Sequence, residues 1–365
     1  MRYRKAWWVV VLLIGVSVPL LAASAGHRSS GGPATVRGHG QALPDFVQHL
    51  SVLPGVTHKN LTIFPVTAIG ARVPGVAMTL DTAGAKGLID VSELKESEVN
   101  RLVLINRAKE PVFVMAGEMV RGGRQDRIMA DDLVLAPGAS AKVAVFCVEH
   151  GRWVTREEGV HFSTGHSVAG ARAREAGGTE GQTGVWDAVA TQQRALKAPS
   201  PTGALRSVHD SESVRRQIGS YLKAFADLPK QYPKASGIVA VVDGEILAAD
   251  LFSSTALFAQ SWPELLEAYA IDAVEHAEGY RGGRRHATPG VREIRHWLEG
   301  MTSAARTEKH TPGEGESFEL RSRSLRGAGL EWQGGVVHVG LFPASEVETP
   351  KYDPLQFRRD RLQGR

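Results

Sequence analysis

Two short segments carry most of the residues suited to binding a ligand or transferring a proton. The first runs from Gly117 to Arg127 and reads Gly-Glu-Met-Val-Arg-Gly-Gly-Arg-Gln-Asp-Arg. Glycines let backbone N–H groups close on an anion, and arginines bind carboxylate or phosphate groups with two hydrogen bonds at once. Glu118 is therefore a candidate catalytic carboxylate, with Gln125 and Arg127 as candidate ligand-binding residues. A Gly-Glu pair is also an ordinary corner between strands, so a structural role for Glu118 stays open.

The second segment runs from Cys147 to Trp153 and reads Cys-Val-Glu-His-Gly-Arg-Trp. It follows an alternating apolar strand and brings a carboxylate, an imidazole, a guanidinium and an indole out of one strand end. Such a group can serve acid and base chemistry in a pocket. Glu149 is the second candidate catalytic residue, and Arg152 and Trp153 are candidate ligand-binding residues.

The position of Glu149 also supports a structural interpretation. Its side chain continues the apolar strand face that contains Cys147, the only cysteine of the chain, which rules out an internal disulfide bond. We expect the thiol to pack in the core, because a buried cysteine in apolar surroundings is usually inert. A carboxylate on the same face needs a partner, for which Arg127 and Arg152 are the candidates. A buried ion pair is then the alternative to a catalytic site.

Other catalytic signatures are absent from the sequence. It contains neither a Walker loop, nor a G-x-G-x-x-G loop, nor a G-x-S-x-G nucleophile elbow. His161 and His166 are five positions apart, without the i, i+4 spacing of zinc proteases, so no metal site is predicted. An enzyme with a metal at these two histidines is kept as a third alternative. The sequence indicates no particular cofactor.

The overall charge argues against nucleic acid as the partner. The 365-residue chain has a formal net charge of +4, with its basic residues interspersed among acidic ones. A nucleic-acid-binding protein usually concentrates positive charge on one face. A small anionic ligand remains compatible with this composition, and the oligomeric state is left undetermined.

The first residues predict export. Arg2, Arg4 and Lys5 precede an apolar run, and Ala23-Ser-Ala25 follows it, which is the pattern of a signal peptide cleaved after Ala25. The run is too short for a membrane anchor, so the mature protein is expected to be periplasmic or secreted and free of the membrane. A flexible leader is predicted over residues 26–43, the main domain over 44–343 and a loose polar tail over 344–365.

Periodicity along the main domain predicts a β-rich first half followed by helices. Strands are expected at Leu61–Val66, Leu88–Leu94, Arg101–Asn106, Val112–Ala116 and Lys142–Glu149, with a hairpin around Arg107–Glu110. A mobile loop is expected over 163–184, then amphipathic helices from Val185, Val214 and Val291. Asp243-Gly244 predicts a tight hairpin turn, Ser261 a helix start, 302–317 a disordered stretch, and 336–342 a last strand.

Several of these motifs resemble a known family. Gly117-Glu118, Gln125-x-Arg127, the segment from Cys147 to Trp153, Ser200-Pro-Thr, Asp250-Leu-Phe and His338-Val-Gly-Leu-Phe are similar to the ARG and Rhodanese-Phosphatase-superfamily-associated Protein domain, a domain of unknown function. The resemblance covers about 61–342. Its name implies an association with ADP-ribosylglycohydrolases and rhodanese-phosphatase proteins, and hence with ADP-ribose or phosphoester metabolism.

These observations predict an α+β fold in which a β-rich N-terminal half precedes helices packed on a hairpin and a final strand, forming one compact domain. The leading functional hypothesis is binding or hydrolysis of a phosphorylated or nucleotide-like ligand. In it, Arg127 and Arg152 hold the anion and Glu118 or Glu149 handles protons. The alternative is a non-enzymatic extracytoplasmic module in which the same residues form a structural polar network.

Overall fold

The computed structural model describes residues 41–94, 98–151, 162–165, 167–279 and 286–344. Its helices are α1 (Ala42–Gln48), α2 (Leu80–Ala85), α3 (Ala171–Thr179), α4 (Gly181–Ala195), α5 (Arg206–Asp210), α6 (Glu212–Phe225), α7 (Leu228–Gln231), α8 (Thr255–Gly279) and α9 (Val291–Glu299), followed by a 3₁₀ turn at Gly300–Thr302. The predicted signal peptide and nearly all of the predicted leader and tail lie outside the described residues.

The strands are, in chain order, β1 (Leu50–Val52), β2 (Val56–His58), β3 (Leu61–Ala68), β4 (Met78–Thr79), β5 (Ile89–Glu93), β6 (Arg101–Asn106), β7 (Val112–Val114), β8 (Met119–Gly122), β9 (Arg127–Met129), β10 (Leu133–Leu135), β11 (Ser140–Cys147), β12 (Phe162–Ser163), β13 (Ala235–Val242), β14 (Glu245–Phe252), β15 (Ala305–Lys309), β16 (Glu316–Arg321), β17 (Leu325–Trp332) and β18 (Gly335–Pro343).

A long antiparallel sheet joins the two ends of the described chain. Its strands run in the order β1-β3-β13-β14-β18-β17-β16-β15, and β2 also pairs with β3. Ile238 and Ala240 of β13 belong to the core cluster that contains α8, whereas Val239 and Val241 belong to the cluster that contains α9. Since successive strand residues point to opposite faces, helices covering both faces explain why β13 is apolar and buried along its whole length.

Two smaller sheets contain the strands from β4 to β12. Among the described strands, one sheet has the order β12-β8-β9-β11-β6-β5 and the other β10-β7-β4, in which β4 and β7 are parallel. Strand β11 buries Val143, Val145 and Cys147 and turns Lys142 and Ala144 outward. Burial raises the pKa of the Cys147 thiol, as expected for a cysteine that packs in the core.

The structure confirms the α+β class and many of the predicted elements. The strand beginning at Leu61, the alternating strand that ends at Cys147, the helices through Val185 and Val214 and the last strand are all present. Asp243 and Gly244 have φ angles of 51° and 88°, which are the left-handed conformations expected of a tight hairpin turn. No helix among the described residues is long and apolar enough to cross a bilayer.

The predicted hairpin around Arg107–Glu110 is wrong. Strand β6 pairs with β11 and β5, whereas β7 pairs with β10 and β4 in another sheet. The buried amide of Asn106 donates to the carbonyl oxygens of Glu110, Leu135 and Ala136 and so fixes the chain where it leaves one sheet for the other.

The predicted mobile loop over 163–184 is also wrong over most of its length, because α3 and the start of α4 occupy it. Ala173 and Ala176 of α3 are buried, and Asp272 of α8 accepts a 2.9 Å hydrogen bond from the backbone N–H of Ala171 at the first turn. Tertiary packing therefore stabilises a helix whose glycines gave it a loop-like sequence.

Three further boundaries differ from the predictions. Helix α8 begins at Thr255 rather than Ser261, and the hydroxyl of Ser254 accepts a hydrogen bond from the backbone N–H of Leu257 at its first turn. Residues 302–317 contain β15 and the start of β16, which pair along the charged edge of the long sheet instead of being disordered. Helix α1 begins at Ala42, inside the predicted leader, because Leu43 is buried in the core.

Candidate functional site

Three of the predicted site residues do come together. Arg127 at the start of β9 lies opposite Cys147 at the end of β11, so the two segments singled out in the sequence are adjacent. The amide of Gln125 donates a 2.8 Å hydrogen bond to the carbonyl oxygen of Glu149. The carboxylate of Glu149 accepts a 2.7 Å hydrogen bond from the hydroxyl of Thr202, which belongs to the Ser-Pro-Thr motif.

This cluster is closed rather than open. Gln125, Arg127 and Glu149 are 5%, 1% and 3% exposed, and the hollow next to Arg127 measures only about 10 Å³. Burial lowers the pKa of Arg127, whose guanidinium donates to the carbonyl oxygens of Val99 and Asp126. A space of this size holds at most one water molecule.

Arg206 completes the cluster as its partly exposed cation. Its guanidinium lies 2.7 Å from Asp126 and 3.6 Å from Glu149. The described side chains thus form a connected polar network, which fits the structural alternative. The ligand-binding and catalytic roles of Gln125, Arg127 and Glu149 stay predictions, and Arg152, Trp153, His161 and His166 lie outside the described residues.

Glu118 does not join this cluster. Its carboxyl accepts a 2.9 Å hydrogen bond from the backbone N–H of Met115 and is almost fully buried. Burial raises the pKa of Glu118 well above its usual range, and the nearby negative charges of Glu264, Asp81 and Asp132 add to that effect. The group is therefore suited to holding a proton, although its catalytic role also stays a prediction.

A second polar network, not identified from the sequence, lies under a cavity of about 360 Å³. His338 of β18 places Nδ1 2.7 Å from Oδ2 of Asp132 and Nε2 3.2 Å from Oδ1 of Asp250. The other carboxylate oxygen of Asp132 accepts a 2.8 Å hydrogen bond from the backbone N–H of Ala116. All three ionisable side chains are at most 5% exposed.

Arg174 of α3 closes this network from the other side. Its guanidinium binds both oxygens of Asp250, at 2.8 and 3.1 Å, and the hydroxyl of Tyr269 donates to the same carboxylate. The guanidinium also lies 5.5 Å from the ring centre of Phe342. Gly117 makes room for this side chain, because a Cβ atom there would lie 2.5 Å from Cδ of Arg174.

Pairing controls the charges of these groups despite their burial. Burial opposes protonation of His338, but the charges and hydrogen bonds of Asp132 and Asp250 outweigh it and raise the pKa of His338 to about 9. Burial would also raise the pKa of Asp250, but Arg174 and His338 lower it well below its usual range. We therefore describe the network as an imidazolium and a guanidinium held by two carboxylates.

The cavity has a volume of about 360 Å³ and opens between β11, α3 and the strands β15 to β18. Asp132, Arg174 and His338 form part of its wall. The space exists because several residues facing it have small side chains: Ala116, Ala130, Ala144, Gly178, Gly327 and Gly340. Phe146 and Phe342 add aromatic surface, so the cavity combines apolar walls with fixed charges, as small-molecule sites do.

Family motifs meet at this network rather than at the predicted cluster alone. Gly117, Asp250, His338 and Phe342, which come from three of the motifs quoted above, all contact Arg174 or its partners. A sequence signal for this site did exist, because Asp250 and His338 interrupt otherwise apolar strands, and a buried charge needs a partner. In the described part of the chain, no group of three or more His, Cys, Asp or Glu side chains is arranged to hold a metal ion.

Comparison with known proteins agrees with the motifs. The model of the ARG and Rhodanese-Phosphatase-superfamily-associated Protein domain matches residues 49–342. Searches of curated proteins and of solved structures gave no significant match. The match covers most of the chain, including both polar networks, and the chain belongs to the family of the ARG and Rhodanese-Phosphatase-superfamily-associated Protein domain.

Proposed function

We propose that this protein is an exported binding protein for a small phosphorylated or nucleotide-like molecule, and that the cavity beside His338 is its binding site. The observation that carries the proposal is the cavity itself, about 360 Å³ in volume and walled by Asp132, Arg174 and His338. A buried network of paired charges costs free energy to desolvate, so its location beside a cavity supports a functional role. The family name, which refers to the rhodanese-phosphatase superfamily, agrees with a phosphorylated ligand.

The geometry supports binding better than hydrolysis. Both ring nitrogens of His338 are engaged by carboxylates, which leaves neither nitrogen available to accept a proton from a substrate. The carboxylate of Asp250 is bound by Arg174, His338 and Tyr269 at the same time. Such a network provides a rigid, preorganised wall, which favours recognition of a ligand by fixed charges.

The competing proposal is a structural module that binds no small molecule. The closed cluster of Gln125, Arg127 and Glu149 supports this alternative for its own part of the molecule. It does not explain why small side chains leave an open cavity against β11. The two proposals therefore differ in what happens when that cavity is filled.

Ala144 offers a direct test because it points outward from β11 into the cavity. Ala144→Phe is expected to occupy the cavity without disturbing the buried face of the strand. Lys142→Phe is the matched control, since Lys142 lies on the same exposed strand face but does not line the cavity. Both variants and the wild type would be screened by thermal shift against nucleotides, ADP-ribose and sugar phosphates.

A compound that raises the Tm of the wild type and of Lys142→Phe, but not of Ala144→Phe, supports the proposal, because a ligand stabilises only the state that binds it. Wild-type protein that is stabilised by no compound of the panel contradicts it. Equal stabilisation of Ala144→Phe would place the site elsewhere.

Export is a separate part of the proposal and rests on the charged start, the apolar run and the Ala23-Ser-Ala25 motif. The first residue of the mature protein is expected to be Gly26. N-terminal sequencing of protein expressed with its native start, together with cell fractionation, tests this. Intact Met1 on protein found in the cytoplasm would contradict it.

A further inference from the structure

We propose that Arg321 and Arg326 form an anion subsite of the cavity, which takes the phosphate group of an organic phosphate. The inference rests on the proposed function, because it concerns the same cavity. It identifies the residues that bind the charged group of the ligand and the part of the cavity wall that contacts the rest of the ligand.

Strand register brings the two arginines together. Arg321 of β16 lies directly opposite Arg326 of β17, and Arg326 lies opposite Phe342 of β18. All three side chains line the cavity. Like charges directly opposite each other on neighbouring strands normally destabilise a sheet. A row of two guanidinium groups at the cavity wall is therefore unfavourable unless an anion joins it.

The carboxylates nearby neutralise this row only in part. Glu319 lies 3.2 Å from Arg321 but also 3.2 Å from Lys309, so its charge is shared between two cations. Arg174 is paired with Asp250, and Lys309 is paired with Asp131 at 2.7 Å. Arg326 forms no direct ion pair among the described residues, whereas these other basic side chains of the wall each form one. A nearby negative charge on the wall is Glu175, whose pKa Arg326 lowers without forming an ion pair.

The chemistry of the site defines a ligand class. A guanidinium group presents N–H donors in a planar fork that matches phosphate oxygens, so neighbouring arginines favour a phosphate over a neutral group. Phe342 is the cross-strand neighbour of Arg326, and Phe146 lies on the β11 wall of the same cavity. A phosphate ester with a less polar body thus fits better than inorganic phosphate alone.

Isothermal titration with AMP and adenosine, which differ only in the phosphate group, tests the subsite. Wild-type protein is expected to bind AMP more tightly than adenosine. Arg326→Gln is expected to weaken AMP binding about tenfold or more, because a charge-assisted contact is lost. It should leave the affinity for adenosine unchanged, and Arg321→Gln should have a smaller effect because Glu319 already engages that residue.

Arg323→Gln is the matched control. Arg323 is an exposed arginine in the turn between the same two strands and does not line the cavity. Failure of the wild type to bind AMP, equal affinities for AMP and adenosine, or an unchanged AMP affinity in Arg326→Gln overturns the subsite. The cavity proposal fails separately, if Ala144→Phe keeps the full affinity of the wild type. Circular dichroism of each variant confirms that it is folded.

Discussion

Nδ1 of His338 lies 2.7 Å from Oδ2 of Asp132, a residue 206 positions earlier in the chain. With Asp250 on its other nitrogen, the imidazole bridges two carboxylates that belong to different parts of the fold. This contact joins β18, the last strand in the chain, to the segment that precedes β10. Its strength depends on the protonation of His338, so it links the stability of the fold to pH.

The free energy of unfolding is expected to fall as the pH rises through about 9. The pKa of His338 is raised from 6.5 to about 9 in the folded protein, so the stabilising charge is fully present below pH 6.5 and is lost above 9. The shift corresponds to roughly 3 kcal/mol. Urea unfolding between pH 6 and 10 measures the loss, and histidine-selective NMR identifies the group. A pKa for His338 near 6.5 would contradict the prediction.

Asp250→Asn is expected to destabilise the protein by about 3–5 kcal/mol, because it leaves the buried guanidinium of Arg174 without its charged partner. Asp250 itself is 0% exposed, and Arg174 binds both of its oxygens. Glu299→Gln is the control, since Glu299 forms an exposed ion pair with Arg295 and should change stability by at most about 0.5 kcal/mol. Chemical denaturation measures the free energy of unfolding of both variants. A similar decrease in the two would contradict the prediction.

Gly117→Ala is expected to cost more stability than Gly138→Ala, although both glycines have positive φ angles, of 89° and 71°. A Cβ atom at Gly138 meets nothing within 4 Å, so only the backbone conformation is penalised there, by about 1 kcal/mol. At Gly117 the added atom also clashes with the side chain of Arg174, whose shift would strain its ion pair with Asp250. Thermal unfolding measures the stability lost in each variant, and the difference between the two losses is the cost of the clash with Arg174. Equal losses would show that Arg174 adapts without cost.

The sequence predicted the local elements better than the contacts between them. Asp243-Gly244 specifies its hairpin through two left-handed residues, and β11 is visible in its alternation. Helix α3 could not be predicted in this way. Its glycines have low helix propensity, and its first turn depends on Asp272, which lies about 100 residues away in α8.

The same reason explains why the candidate site was only partly predicted. The cluster of Arg127 and Glu149 was predicted because both residues belong to recognisable motifs, and the start of β9 at Arg127 lies opposite the end of β11 at Cys147. His338 and Asp250 lie on apolar strands whose pairing is not encoded locally, and Asp132 joins them from a different sheet region. Buried charges in apolar strands indicate that a partner exists but do not identify it.

Glu149→Ala is expected to lower the free energy of unfolding by about 1–3 kcal/mol without changing the affinity for AMP. Removing this carboxylate deprives Thr202 of its buried acceptor and leaves Arg206 with Asp126 alone, while the cavity beside His338 keeps its walls. Chemical denaturation and titration calorimetry measure the two effects separately. A variant of normal stability that has lost AMP binding would instead support the ligand role predicted from the sequence.

Glu175→Gln is expected to increase the affinity for AMP several-fold above neutral pH, with the difference from the wild type shrinking as the pH falls. Glu175 lines the cavity, where burial raises its pKa, Arg326 and Arg172 lower it, and Glu180 raises it. A phosphate bound at Arg326 would repel the ionised carboxylate, so binding in the wild type should take up a proton at Glu175.

The phosphate of AMP also titrates, with a second pKa near 6, so the informative quantity is the difference between wild type and variant at each pH. Glu212→Gln is the control, because the side chain of Glu212 in α6 is 88% exposed and does not line the cavity. Titration calorimetry in buffers of different ionisation enthalpy counts the protons taken up. If Glu175→Gln binds AMP no better than the wild type at any pH, then Glu175 does not face the bound anion.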